Sequence, residues 1–122
     1  MSSFAGKELT SSEYTFTLKD EDGVVVPSAN LAAFVLTLKD VETGATINSR
    51  IAQNVLNTNN VTIHATSGLV TWKVQPLDMA ITNAYHLQER HRATFTATTT
   101  ATPAVKLNHE VTIYVENLAD AA

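Results

Sequence analysis

The chain has 122 residues, a formal net charge of -4, a pI near 5.4, only 16% charged residues and no cysteine. That length fits one domain burying somewhat under about 70% of its unfolded surface, and disulfides, thiolate metal sites and a cysteine nucleophile are excluded. The acidic balance gives no basic field for nucleic acid. The opening "MSSFAGKELTSSE" lacks the charged and apolar segments of a leader, and no run of about 18 apolar residues marks a membrane helix, so the sequence predicts a cytosolically made protein without nucleic-acid or membrane partners.

Residues 1–12 are small and polar apart from Phe4 and Leu9, which predicts a mobile arm or a loosely held first strand. From Tyr14 the pattern becomes strict: Tyr14, Phe16 and Leu18 alternate with Thr15, Thr17 and Lys19, the period of a half-buried strand. "DEDG" supplies turn chemistry, and Val24 to Val26 return as the second arm of a hairpin. Leu31 to Lys39 is apolar on nearly both faces, the mark of a central strand, and it ends in a second copy of "TLKD". "ATINS" is expected to pair back on it. The asparagine-rich connection "RIAQNVLNTNN" has room for a short strand around Asn54 to Leu56.

"VTIHATSGLVTWKV" reads as a hairpin turning at Ser67-Gly68, with Trp72 as a core anchor between Val70 and Val74. Pro76 opens one turn of helix crossing a sheet end. A long strand follows, with His91, Ala93, Phe95 and Ala97 opposite Arg90, Arg92, Thr94 and Thr96. The last strand sets Val111, Ile113 and Val115 inward and Glu110, Thr112, Tyr114 and Glu116 outward. These elements predict an all-β fold: an antiparallel, immunoglobulin-like β-sandwich of about seven to nine strands. It spans residues 13–118, between the arm 1–12 and a tail at 119–122. A jelly roll or small barrel satisfies the same strand spacing.

Few residues invite chemistry. Asp20 and Asp22 match the first two ligand positions of an EF-hand loop, but Val24, Val25 and Leu31 occupy positions that need oxygen ligands or glycine, leaving a structural turn. His64, His86, His91 and His109 lack the tight spacing of metal sites, although Glu89 and His91 share one strand face. No nucleophile elbow, Walker loop or dinucleotide glycine pattern occurs, so the expectation is a protein that is not an enzyme and carries no cofactor. Its interaction candidates are Phe4 and Leu9 on the arm, the outward pair Arg90 and Arg92, which suits a partner carboxylate, and the outward Tyr114. A carbohydrate-binding module is the alternative in the binding class, with Trp72 as its stacking ring.

The stretches "YTFTLKDEDGVVVPSANLAAFVLTLKDVETGATINSR", "SGLVTWKVQPLD" and "ERHRATFTAT…HEVTIYVENL" resemble small virion structural proteins of tailed bacteriophages, whose immunoglobulin-like sandwich is similar to the N-terminal domain of baseplate upper proteins. The shared features are strands ending in aspartate, the D-x-x-TG turn from Asp40 to Gly44, the G-x-V-x-W strand from Gly68 to Trp72, and Asp78. The resemblance implies a non-enzymatic virion component, made in the host cytoplasm. Its partners would be other phage structural proteins and copies of itself, in a homo-oligomer or a repeated array. The baseplate version runs on into a fibre or adhesin segment, whereas this sequence stops after "VENLADAA". A head decoration, neck or tail adaptor role is therefore expected ahead of a tail or baseplate attachment domain.

Overall fold

Period-two alternation recurs along most of this chain, and in space it produces two sheets that share one apolar layer. The computed structural model describes residues 2–7, 10–20, 22–82, 87–101 and 103–117. Eight strands occur among them: β1 (Ser2–Lys7), β2 (Ser12–Thr17), β3 (Leu31–Asp40), β4 (Gln53–Asn54), β5 (Val61–Ile63), β6 (Leu69–Val74), β7 (Gln88–Thr99) and β8 (Lys106–Glu116). One sheet runs β1-β8-β7-β3-β4 and the other β2-β6-β5. From β2 onwards this is the strand arrangement of an immunoglobulin-like sandwich, with the second, fifth and fourth strands of that fold on one sheet and the third, sixth and seventh on the other. All neighbours are antiparallel except β1 and β8, which run parallel from Ser2 opposite Val111 to Lys7 opposite Glu116.

The inward positions read from the alternation are the core. Phe34, Leu36 and Leu38 of β3, Val70, Trp72 and Val74 of β6, Phe95 of β7, and Val111, Ile113 and Val115 of β8 are all fully buried. Phe95 is the hub, stacked 5.5 Å from Phe34 and meeting Trp72 edge-on at 5.6 Å and Phe16 at 5.2 Å. Such ring pairs add specific geometry to area burial. Gly68 turns β5 into β6 at φ +71°, and a side chain there would meet the carbonyl oxygens of Val26 and Leu18 at 3.0 and 3.2 Å. Glycine is thus required both by the turn and by the close backbone approach.

The connection from β3 to β5 is held by a buried ion pair. Arg50 and Asp78 are 2% and 0% exposed; Arg50 Nε and Nη2 donate to the two Asp78 carboxylate oxygens in a fork. Arg50 Nη1 also donates to Gln53 Oε1 at 2.7 Å and to the Asn59 carbonyl at 3.2 Å. Asp78 receives Asn48 Nδ2 at 2.8 Å and the Gln75 N–H at 2.9 Å, which closes the short 3₁₀ turn Pro76–Met79. The guanidinium lies 5.9 Å from the centre of the Trp72 ring.

Three expectations are refined. Of the mobile arm and the first strand expected as alternatives over residues 1–12, the strand is found, because Ser2–Lys7 bonds along β8 and Phe4 turns its ring inward onto Tyr14 and Trp72. The hairpin arms at 24–26 and 45–49 shrink to isolated bridges, Lys19 with Val25 and Lys39 with Thr46. The short strand of the connection is Gln53–Asn54, one residue earlier than expected. Leu9, His86 and the tail 119–122 lie outside the described residues.

The two "TLKD" ends differ. Asp20 Oδ1 accepts the N–H groups of Asp22 and Val24, an exposed local turn. Asp40, 2% exposed, accepts from the Glu42 N–H and the Thr43 hydroxyl, and also from the Thr82 hydroxyl forty-two residues on. Asp20→Ala is therefore expected to cost about 1 kcal/mol and Asp40→Ala about 3 kcal/mol, since the second removes three hydrogen bonds to a buried charged group, one of them reaching across to Thr82. Urea unfolding of the two variants measures the difference.

Candidate interaction surface

The outer side of the five-stranded sheet carries no further layer among the described residues, and the register places its side chains in rows. Thr37, Thr94 and Glu110 form one row; Lys39, Arg92, Thr112 and Ser3 form the next; Arg90, Tyr114 and Ala5 form a third. Threonines and small residues make half of these rows. Lys39, Arg90 and Arg92 gather at its β3 and β7 corner.

Three of the five candidates from the sequence thus meet. Arg90 and Tyr114 are direct cross-strand neighbours, and Arg92 lies one row away on the same face. Phe4 does not join them, because it faces the opposite side of its strand and packs inside the sandwich. Lys39 was absent from that candidate set although the alternation of β3 sets it outward; only the pairing of β3 with β7 puts it opposite Arg92. Arg92 Nε stands 4.0 Å from Glu110 Oε2, both side chains more than two-fifths exposed. Such a pair contributes little to stability and leaves the guanidinium available for a partner carboxylate. Beside it, Thr37, Lys39, Val41, Gly44, Arg92 and Thr94 line a shallow hollow of about 210 Å³.

A second concavity, of about 500 Å³, lies at the opposite end of β3 and β7, between the β2–β3 and β7–β8 connections. In immunoglobulin variable domains these two connections belong to the recognition end. Asp20, Asp22, Asn30, Thr99 and Thr100 supply its polar lining, while Val24, Val25 and Val105 stand 58%, 40% and 41% exposed in it. This lining suits a partner segment that combines an aliphatic group with a cation. Sequence reading found only the turn in "DEDG", because the two connections are some eighty residues apart and their approach is a property of the topology.

The interior polar groups serve the fold. His91 Nε2 lies 2.9 Å from Glu89 Oε1, and the Thr82 hydroxyl lies 2.9 Å from both Glu89 Oε2 and Asp40 Oδ2. These side chains lash the turn after β3 to the start of β7, where the Val41 N–H also donates to the Arg90 carbonyl at 2.9 Å. Trp72 Nε1 and His91 Nδ1 are buried without a hydrogen-bond partner among the described residues. His64 is exposed and its Nδ1 accepts the N–H groups of Thr66 and Ser67.

Where β1 begins, the rim of the sandwich is closed by aromatic rings. Phe4 stacks on Tyr14 at 5.3 Å, the Tyr14 hydroxyl lies 2.8 Å from His109 Nε2, and the His109 ring stacks on Phe16 at 3.8 Å. Against known proteins, the chain matches no family model and no curated sequence.

Burial lowers the pKa of His109 below its ordinary 6.5 by desolvating the charged form. The unfolded chain then binds more protons in the window between the folded value and 6.5, so stability is complete above about pH 6.5 and falls as the pH drops through that window. Urea midpoints of wild type and His109→Phe, which keeps a ring on Phe16, are expected to diverge in this direction as the pH is lowered from 7 to 5.

Proposed function

We propose that this protein is a non-enzymatic structural component of a tailed-phage virion, a head decoration, neck or tail adaptor subunit that works by protein-protein contacts with its neighbours and with copies of itself. The observation that carries the reading is the uncovered face of the five-stranded sheet, with Arg90, Arg92, Lys39 and Tyr114 side by side on threonine-rich ground. An arginine pair with a neighbouring tyrosine is suited to anchoring a contact, since such residues dominate interface energetics. The hydroxyls of Thr37, Thr94 and Ser3 on the same face are small donors and acceptors that a subunit contact satisfies by hydrogen bonds across it. The phage resemblance of the two "TLKD" strands, the D-x-x-TG turn and the G-x-V-x-W strand supplies the setting.

Trp72, the ring on which a glycan-binding reading rests, packs with Phe4 and Phe95 inside the sandwich and has no exposed surface for stacking a sugar.

Mass spectrometry of purified particles is the direct test, and a virion free of the protein ends the reading. Within it, Arg90→Glu with Arg92→Glu is expected to reduce incorporation into particles by about tenfold, equivalent to about 1.4 kcal/mol. The thermal melt of the isolated protein should remain unchanged, because both side chains are exposed.

A further inference from the structure

We infer that the outer edge of β1 is self-pairing: it takes the same edge of a second copy of this chain, antiparallel about a two-fold axis, and joins two five-stranded sheets into one. The terminal strand of a sheet turns a row of N–H and C=O groups away from its partner, and proteins protect such edges by shortness, charge, proline, bulges or cover. Three of the sheet edges carry such protection. β4 has two residues. β5 has three, and Asn57 Oδ1 takes the N–H of Ile63. β2 carries the charged Glu13 on its exposed face.

Among the described residues, β1 has just one of these devices, the charge of Lys7 at its far end. Its six residues run in unbroken register with β8, contain no proline, and carry no charge from Ser2 to Gly6. Ser3 and Ala5 are small and exposed on the outer face. Among the described residues, the hydrogen bonds to β1 from outside its ladder fall at its end, where the Thr10 N–H and hydroxyl donate to the Lys7 carbonyl.

The same features choose the occupant. A strand added to an edge gains affinity from main-chain hydrogen bonds and specificity from pockets for its alternate side chains. Here Phe4 fills the inner side and Ser3 and Ala5 leave the outer side flat, so a foreign strand finds no pocket to read it. A second β1 needs none, because its own side chains are equally small. Antiparallel pairing sets the two Lys7 ammonium groups at opposite ends of the junction, whereas parallel pairing aligns them. The two-fold arrangement is also self-complementary and closes at the dimer. The pairing names a partner for the assembling subunit proposed above, but it rests on the strand edge alone and is tested without any particle.

Light scattering of the purified full chain is expected to give twice the 13.2 kDa of one copy. Ala5→Lys sets a charge on the junction from an exposed position and is expected to give the monomer with unchanged circular dichroism and Tm. Because the chain has no cysteine, Ser3→Cys and Ala5→Cys, made singly and together, report the contact directly. At least one of the three is expected to close an intermolecular disulfide under mild oxidation, while Thr62→Cys on β5 does not. A wild-type monomer, a dimer that survives Ala5→Lys, or Thr62→Cys cross-linking as fast as the β1 cysteines overturns the pairing.

Discussion

A single buried fork, Arg50 on Asp78, sets the shape of everything between β3 and β7. Among the described residues, six that are not glycine adopt positive φ, Asn48, Ser49, Ala52, Asn57, Asn59 and Asn60, and all lie in the connection that Arg50 organises. Left-handed backbone is unfavourable for most residues and least so for asparagine, so the asparagine-rich composition and the ion pair answer the same demand. Arg50 collects acceptors from Gln53, Asn59 and Asp78, and Asp78 in turn fixes the turn that leads from β6 towards β7. Removal of either partner would strand a charge in the interior, a loss of about 3 to 5 kcal/mol. The guanidinium also roofs Trp72, so the charge pair and the aromatic core are one packing unit.

The second set of buried polar groups works at the neighbouring corner. Asp40, Thr82, Glu89 and His91 tie the turn after β3 to β7, and that turn is where Lys39 and Arg92 come side by side on the outer face. Burial of Asp40 therefore has a consequence on the surface. It fixes the end of β3 in register with β7 and so sets the spacing of the cations above it. Structure and candidate interaction surface share this strand pair, and a residue that looks like turn chemistry in the sequence is a positioning residue for the exposed corner.

Much of the fold was legible in the chain. The alternation of β3, β6, β7 and β8 named their buried faces residue by residue, and "DEDG", "DVETG" and Ser67-Gly68 marked their turns. β1 was not legible as a fixed strand, because "SSFAGK" offers one large apolar residue and its partner, β8, lies more than a hundred residues away. Its edge position followed from that pairing. The Arg50–Asp78 fork escaped as well: a lone arginine and a lone aspartate twenty-eight residues apart carry no spacing signal.

By itself, the sequence determined the class of fold and the identity of the core, since a period of two with clear turn residues leaves an apolar face that must be covered by another sheet. It also determined which side chains face outward, because orientation on a strand is a local property. Only the tertiary structure decided which outward residues become neighbours, that Arg90, Arg92, Lys39 and Tyr114 share a face while Phe4 turns to the interior. It alone decided that β1 ends the five-stranded sheet. Strand order depends on long-range pairing, and pairing is settled by the packing of the whole sandwich, so no local stretch of residues records it.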